Sequence, residues 1–414
     1  MKMKERVRLG VIGLGERGKV LLEGALLPMY DMDVEVCAVC DAYEDRIAHA
    51  KELIKEKTGK EVFGATNYRE VLAMELDAVI ISTAWEAHVE IALSAMKAGK
   101  YVGLEVGGVF AMEDCWRLVR TSEETGIPCM MLENCCYGKR ELMVLNMVKK
   151  GVFGDVIYCE GGYCHDLREE VVMGEENRHY RLRHYIHRNC DNYPTHELGP
   201  IAKILNINNG NRLMTLTSMA TKAKSIHEYV SEKKGEESKL AQTEFHQGDV
   251  VKTIIQCANG ELITLTLDTT LPRTYSRSFT VRGTKAGYWE DNDSIFLDGK
   301  HNEYEFKQKE IWNNAIDYEE EYLHPLWRDF QVQGGHDGLD WMVIRAFVES
   351  IKAGVQTPID VYDTAVWMAV SLLSEQSIAM GGAVQPIPDF TRGYWMNRKD
   401  IPKQKYELHD IYEV

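Results

Sequence analysis

The residues whose spacing most directly indicates chemistry are three glycines near the start of the chain. Residues 7–12 read VRLGVI, a short apolar run, and the pattern G-x-G-x-x-G follows at 13–18. The first glycine of such a pattern permits a tight turn, the second lets the backbone approach a pyrophosphate, and the third lets the next helix pack on the strand. The predicted phosphate-binding residues are Gly13, Leu14, Gly15, Glu16, Arg17 and Gly18.

An acidic residue stands where a dinucleotide site needs one. The apolar run VEVCAVC at 34–40 ends at Asp41. An acid about 20 residues beyond the last glycine bonds the adenosine ribose hydroxyls in sites of this type, and it disfavours a 2′-phosphate. The strand, the glycines and the terminal acid together predict a site for NAD rather than NADP.

The composition limits the classes of partner. The chain has 414 residues, which is long for one core, and a formal net charge of −16. A surface for nucleic acid or an anionic membrane needs a local basic excess, so neither partner is expected. The basic and aromatic run RHYRLRHYIHR at 178–188 could suggest RNA, but a segment lining an active site fits this charge better.

Location and redox state follow from the apolar segments and the cysteines. The sequence shows neither a signal-peptide pattern nor an apolar segment of membrane-spanning length, so we expect a cytoplasmic protein. The ten cysteines are not spaced for zinc. They are expected to be reduced thiols, and no metal site is predicted.

The pattern of predicted elements changes near residue 150. Before it, nearly continuous apolar strands alternate with helices, which is typical of a doubly wound parallel Rossmann sheet in an α/β domain. After it, polar and apolar residues alternate, and Asn259-Gly260 forms a hairpin turn, which predicts an α+β domain with an open-faced, largely antiparallel sheet. The predicted organisation is an NAD-binding domain at 1–150, a substrate and oligomerisation domain at 151–385, and a C-terminal extension at 386–414.

Three further segments carry structural expectations. Residues 225–247 are rich in Lys, Glu and Ser and form either a mobile excursion or a solvated helix. Helical patterns at 339–353 and 362–380 are expected to return and pack on the nucleotide domain or on the sheet. We interpret the run 334–337, GGHD, as structural, with Asp337 capping the helix that follows.

This domain order resembles the glucose-fructose oxidoreductase/inositol dehydrogenase (Gfo/Idh/MocA) superfamily. Typical dehydrogenases of that group carry Glu-Lys-Pro on the strand after an Ala-Gly-Lys turn, and the lysine assists proton transfer. Here the turn is at 98–100 and the tripeptide is Glu105-Val106-Gly107. An apolar side chain replaces the lysine, which argues against an ordinary sugar dehydrogenase.

Longer motifs resemble one branch of that superfamily, the NAD-dependent α-N-acetylgalactosaminidases of glycoside hydrolase family 109. The resemblance extends over about residues 7–385. This sequence departs from the family pattern in two ways. Glu197 stands where glycine is common, which leaves the substrate detail open, and the export signal that family members often carry is not seen here. The matching motifs are WEAH at 85–88, EN at 133–134, YG at 137–138, YCHDLR at 163–168, YPTH at 193–196, PRTYSR at 272–277, GGH at 334–336 and DVYD at 360–363.

The resemblance implies a glycosidase with tightly bound NAD that works by oxidation, elimination, addition and reduction on an N-acetylhexosaminide, without net redox change. In that cycle His196 is the base for the C3 hydroxyl, and Tyr163 removes the C2 proton with His165 on the same strand face. Structural alternatives are a helix-capping His196 and a buried sheet aromatic at Tyr163. The implied substrate-binding residues are Glu133, Arg181, Tyr193 and Tyr275. The implied further cofactor-binding residues are Thr83, Trp85, His88, Glu105, Val106 and Asn134.

Two other functions stay open on the sequence alone. One is an NAD-dependent sugar or polyol dehydrogenase of the same superfamily that exchanges free NAD, and the other is a nucleotide-sensing protein that has lost its chemistry. The expected partners are a small carbohydrate and further copies of the chain, because an exposed sheet face usually needs covering.

Overall fold

The structure, a computed structural model, describes residues 4–302, 308–399 and 401–412. It contains two compact units. The boundaries predicted at 150 and 385 differ from the observed ones, because the chain returns to the first unit for a long helix and again for its last residues. Residues 1–3, 303–307, 400 and 413–414 of the predicted domains lie outside the described part. The first unit consists of Met1–Gly138, Asp329–Ala365 and Lys399–Val414, and the second of Lys139–Arg328 and Val366–Arg398.

The first unit is built on six parallel strands in the order β3-β2-β1-β4-β5-β6, the predicted doubly wound Rossmann arrangement. Strands buried on both faces need continuous apolar sequence, and every residue of β4 is fully buried. The three-residue strand β3 was not predicted, since so short a run has no readable period. The strands are β1 Val7–Ile12, β2 Val34–Cys40, β3 Phe63–Ala65, β4 Ala78–Ile81, β5 Tyr101–Leu104 and β6 Cys129–Met131. The helices between them are α1 Glu16–Leu21, which continues as a π-helical turn over Leu22–Leu26, α2 Glu44–Thr58, α3 Tyr68–Leu72, α4 Trp85–Lys97 and α5 Met112–Thr125.

The second unit carries an eight-stranded sheet in the order β13-β12-β11-β7-β10-β9-β8-β14. The predicted hairpin is confirmed: β9 and β10 pair antiparallel, and Gly260 takes a φ of +101° in the turn. The sheet is largely antiparallel, although β7 and β10 pair parallel. The strands are β7 Val156–Cys164, β8 Leu213–Ala220, β9 Val250–Cys257, β10 Leu262–Asp268, β11 Thr280–Gly283, β12 Ala286–Trp289, β13 Ser294–Leu297 and β14 Gln385–Pro386. The helices are α6 Lys139–Lys149, α7 Arg168–Val172, α8 Arg181–His187, α9 Thr195–Ile204, α10 Ser225–Lys234, α11 Glu319–Tyr322 and α12 Pro325–Arg328.

Two long helices lie close to where the sequence predicts them. Helix α13 spans Leu339–Ala353, and α14 spans Val361–Ala379. The helical alternative for the 225–247 segment holds for its first ten residues, which form α10. Within the described ranges, no helix combines the length and the apolar character needed to cross a membrane.

Candidate functional site

The glycine loop of the first unit leaves room for a ligand at one glycine only. A methyl group added at Gly13 would lie 2.5 Å from the Ser82 carbonyl carbon, and one at Gly18 would lie 2.1 Å from the Gly13 oxygen. At Gly15 the nearest atom would be 3.4 Å away, at the end of the flexible Arg46 side chain. The outer glycines are therefore required for packing, whereas Gly15 gives a ligand close access to the backbone, as a pyrophosphate needs.

Asp41 is fixed beside this loop. It is 7% exposed, and its carboxylate accepts hydrogen bonds from the backbone N–H groups of Leu14, at 2.7 Å, and Tyr43, at 3.0 Å. Each carboxylate oxygen can accept a further hydrogen bond. The predicted acid is therefore held in place by the backbone and still offers acceptors to ribose hydroxyls.

In the tripeptide Glu105-Val106-Gly107, the glycine has a packing reason. A methyl group at Gly107 would lie 2.7 Å from Cδ1 of Trp85 and 3.1 Å from Nδ1 of His88, so these two side chains occupy the space that a larger residue would need. Both are buried, and burial lowers the pKa of His88 to about 4, so its imidazole is neutral at pH 7. Val106, where the dehydrogenases have lysine, is also buried.

Two further predicted cofactor residues meet at an acid that the sequence analysis missed. Arg17 donates from Nε to Oε1 of Glu105 at 2.9 Å and from both Nη atoms to Asp340, while Asn134 donates to Oδ1 of Asp340 at 2.8 Å. The expected cap is wrong: α13 begins after Gly338, without a side-chain cap, and Asp337 has a left-handed φ of +53°. The predicted substrate residue Glu133 is fully buried and accepts the N–H of Cys135.

In the second unit, the six catalytic and substrate-binding residues predicted there lie together around Tyr163. The phenolic oxygen of Tyr163 lies 3.0 Å from Nδ1 of His165. The Tyr163 ring centroid lies 4.4 Å from that of Tyr193 and 5.2 Å from that of His196. The remaining contacts are His165 to Tyr275, with centroids 5.1 Å apart, and the Arg181 guanidinium, 5.1 Å from the centroid of Tyr193.

The charges around this cluster favour a neutral histidine beside a permanent cation. Burial lowers the pKa of His165. Glu170 and Asp166 oppose this shift, whereas Arg181 and His196 add to it. Burial opposes the charge of Arg181, yet Glu170, Tyr180, Tyr163 and Tyr193 raise its pKa well above the usual value. In the neutral tautomer that carries its proton on Nε2, His165 accepts the phenolic hydrogen of Tyr163 at Nδ1. The positive charge of Arg181 favours negative charge that develops nearby.

Glu197 stands where glycine is expected, directly after His196 in the sequence. Its side chain is fully buried. A methyl group added at Gly161 on β7 would lie 2.3 Å from the Cβ of Glu197, so the glycine makes room for this side chain. Its carboxylate lies 3.4 Å from Nε of Arg277, whose Nη2 lies 2.7 Å from the buried carboxylate of Glu141. One arginine thus neutralises acids from two helices.

A buried acid, Asp191, precedes the YPTH segment by two residues. Asp191 is 1% exposed, and its backbone N–H donates to Oγ of Ser374 at 2.8 Å. Burial raises the pKa of its carboxyl to about 7, although hydrogen bonds from Thr253 and the Tyr193 backbone oppose the shift. Near neutral pH, Asp191 is therefore partly protonated.

This acid makes stability depend on pH. Since the folded pKa lies above the ordinary 3.8, the folded state binds the extra proton between pH 4 and 7. In that window the group lowers the free energy of unfolding as pH rises, by up to about 1.4 kcal/mol per pH unit. We expect Asp191→Asn to lack this slope when urea denaturation is followed at each pH. Equal slopes in the variant and the parent would contradict the assignment.

Comparison with known proteins places both units in families. Residues 7–132 match the family described as "Oxidoreductase family, NAD-binding Rossmann fold", and residues 137–397 match "Glycosyl hydrolase 109, C-terminal domain". The chain is similar to levoglucosan dehydrogenase, solved with NADH and levoglucosan, with a TM-score of 0.69, 17% identity and coverage of 93% of this chain and 100% of that one. It also resembles an inositol dehydrogenase homologue from Azotobacter vinelandii, solved with NADH and myo-inositol, with a TM-score of 0.66, 15% identity and coverage of 93% and 98%. These likenesses show the fold.

Sequence relatives are closer. A glycosyl hydrolase family 109 protein of Stenotrophomonas maltophilia (strain K279a) is 39% identical over 96% of this chain and 91% of its own. An alpha-N-acetylgalactosaminidase of Tannerella forsythia is 37% identical over 95% and 88%, respectively. With an NAD-binding Rossmann domain at its start and relatives that match it along nearly all its length, the chain belongs to glycosyl hydrolase family 109.

Proposed function

We propose that this chain is an NAD-dependent glycosidase that hydrolyses N-acetylhexosaminides, and α-N-acetylgalactosaminides in particular. The relative from Tannerella forsythia bears that name at 37% identity. The observation that carries the proposal is the Tyr163–His165 hydrogen bond of 3.0 Å within a cluster of aromatic and basic side chains. Such a cluster can move protons at a sugar.

The first unit fits NAD. Gly15 leaves space for a pyrophosphate against the backbone, and the carboxylate of Asp41 can accept hydrogen bonds from ribose hydroxyls. When bound, NAD supplies reversible oxidation of a sugar carbinol, which makes the hydrogen on the neighbouring carbon acidic. The residues proposed to hold it are those of the 13–18 loop, Asp41, Thr83, Trp85, His88, Glu105, Val106 and Asn134.

Tyr163 is the proposed base for the C2 proton. A tyrosine hydroxyl is a weak base at neutral pH. It becomes a stronger one when a neighbouring group accepts its proton and a nearby positive charge stabilises the phenolate oxygen. Neutral His165 is the acceptor at 3.0 Å. The guanidinium of Arg181 supplies the charge, since Tyr163 and Arg181 interact electrostatically. The phenolic proton passes to Nδ1 of His165 while the phenolate oxygen takes the C2 proton.

His196 is the proposed base for the C3 hydroxyl, because imidazole can accept a proton near neutral pH. It is half-buried in the first turn of α9, whose N-cap residue is Pro194. Its ring centroid lies 4.7 Å from that of Tyr193. Tyr275 is 51% exposed at the rim of the cluster, so its ring and hydroxyl are accessible to a sugar.

The acids at this cluster do not suit the ordinary glycosidase plan, which needs one carboxylic acid and one carboxylate flanking the bond. Asp166 accepts two hydrogen bonds from the Arg168 side chain, which lower its pKa and keep it ionised. Glu170 lies 3.0 Å from Nη1 of Arg181. A carboxylate kept ionised by an arginine is a poor proton donor, so Asp166 is unsuited to the acid role, which favours the NAD-dependent route.

The test is turnover of p-nitrophenyl α-N-acetylgalactosaminide by the purified holoenzyme. We expect release of nitrophenol without net formation of NADH. Net NADH from a free sugar or polyol, with no release of nitrophenol, would replace this proposal with the dehydrogenase. Absence of both reactions in protein that retains NAD would favour a nucleotide sensor.

We also propose that the open face of the second unit's sheet pairs with another copy of the chain. Along β9, buried residues alternate with exposed ones. The exposed Ile254 pairs with Thr217 of β8 and Thr264 of β10, and the exposed Met219 and Leu262 lie two residues away from these threonines on the same face. Large exposed apolar side chains that gather on one sheet face often mark an interface. Light scattering should give the mass of a dimer or a larger assembly, and Ile254→Lys should lower that mass toward the 47.3 kDa monomer. A parental protein that is monomeric at micromolar concentration would refute the pairing.

The cytoplasm is the proposed location. All ten cysteines are free thiols, and nine of them are buried. Free thiols persist in reducing compartments. Recovery of the native protein in the periplasmic or secreted fraction of its host would overturn this assignment.

A further inference from the structure

Asp340 joins parts of the first unit that are far apart in sequence. It is fully buried at the start of α13, and Arg17 donates to it from Nη1 and Nη2, both at 2.8 Å. Asn134 donates to Oδ1 at 2.8 Å, and Nδ1 of His336 lies 2.8 Å from Oδ2. Paired hydrogen bonds between arginine and a carboxylate are among the strongest and most directional that proteins form.

The segment before Asp340 is shaped to make these contacts. His336 and Asp337 both have left-handed φ angles, +50° and +53°, which residues with side chains rarely adopt. A methyl group at Gly335 would lie 2.6 Å from Oδ2 of Asp340, and one at Gly334 would lie 2.9 Å from the Gly24 oxygen. Strain of this kind persists where the surrounding structure imposes it, often at functional sites. The GGHD run therefore brings His336 to the carboxylate and packs against the helix that follows the glycine loop.

The position of Arg17 gives this arrangement a consequence for the cofactor. Arg17 lies between Gly15 and Gly18, and its guanidinium binds Glu105 and Asp340, both buried acids. Burial opposes the charge of Asp340, but hydrogen bonds from His336 and Arg17 keep its pKa low, so the carboxylate is ionised. The ionised carboxylate of Asp340 and the carboxyl group of Glu105, whose pKa burial raises, together hold the side chain of one loop residue.

We propose that Asp340 is a positioning residue that clamps the glycine loop through Arg17 and so slows the release of NAD. This inference rests on the nucleotide-binding half of the proposed function and not on its sugar chemistry. A reaction that oxidises and later reduces the same sugar needs its cofactor to stay bound through both steps. A clamp on the loop meets that need without contacting the sugar.

The test is the rate of NAD dissociation from the purified holoenzyme with Asp340→Asn. We expect dissociation about 10- to 100-fold faster, the range for losing hydrogen bonds to a charged group. The protein should purify with less NAD, and added NAD should restore its occupancy. The matched control is Asp33→Asn, which breaks the ion pair of Asp33 with Arg345 on the same helix, α13, without touching the glycine loop.

Two results would overturn the proposal. One is a folded Asp340→Asn protein that releases NAD at the parental rate. The other is equally fast release from Asp33→Asn, which would indicate general loosening of α13. If Asp340→Asn does not fold, His336→Ala decides: its side chain is 57% exposed and makes one of the contacts to Asp340. Faster release from this variant supports the clamp, and an unchanged rate refutes it. Because nitrophenyl glycoside turnover is not used, failure here leaves the glycosidase proposal standing.

Discussion

Replacing Tyr163 by phenylalanine is expected to lower kcat for the nitrophenyl glycoside by about 10²- to 10⁴-fold, the usual loss when a general base is removed. The ring stays in its place between Tyr193 and His196, so only the oxygen that bonds His165 is lost. NAD content and melting temperature should stay close to the parental values. Steady-state kinetics with the intact holoenzyme measure the effect.

The same strand offers a matched control. Tyr158 lies on β7 five residues earlier, on the opposite face, and its hydroxyl contacts Glu160 at 3.3 Å. Tyr158→Phe should keep kcat within about two-fold, since it removes one half-buried hydroxyl from the sheet face opposite Tyr163. A Tyr163→Phe enzyme as fast as Tyr158→Phe would remove Tyr163 from the chemistry and leave it a packing residue.

Replacing Arg277 by methionine is expected to destabilise the protein by about 3–5 kcal/mol, the cost of leaving buried charges without their partner. Glu141 and Glu197 are 3% and 0% exposed, and Arg277 lies 2.7 Å and 3.4 Å from their carboxylates. Burial already raises the pKa of Glu141, and Arg277 opposes that shift. Without the arginine these acids can avoid the penalty only by protonation, so the loss in urea denaturation should be larger at pH 8 than at pH 5.

Arg273→Met is the comparison for this variant. Arg273 belongs to the same loop and pairs with Asp268 at 2.6 Å, but the two side chains are 26% and 15% exposed. More exposed pairs contribute about 1 kcal/mol or less. If Arg277→Met unfolds at the same urea concentration as Arg273→Met, the buried cluster is not the stabilising feature inferred from its geometry.

The sequence predicts the parts of this molecule that depend on local patterns. Apolar runs and glycine spacing indicate the Rossmann sheet and its loop, because a strand buried on both faces and a backbone approached by phosphate each leave a short signature. The two-residue spacing of Tyr163 and His165 places both side chains on one face, and the structure joins them by a hydrogen bond. In such cases the local pattern is sufficient.

The parts that were missed depend on contacts between distant segments. Asp340 meets Arg17 across 323 residues, and no local pattern marks it. The missing lysine at Val106 was identified from the sequence, but the need for glycine at position 107 was not, because it depends on the space that Trp85 fills. Asp337 was expected to cap α13, but its left-handed backbone prevents that role. The parallel pairing of β7 with β10 was also invisible, since strand alternation does not specify direction.

The measurement that tests the central claim most directly is turnover of a nitrophenyl N-acetylgalactosaminide in deuterated water, followed by NMR of the released sugar. Removal of the C2 proton by a base that exchanges with solvent predicts deuterium at C2 of the product, with no net NADH. A product that retains its original hydrogen at C2 after complete turnover would contradict the proposed chemistry.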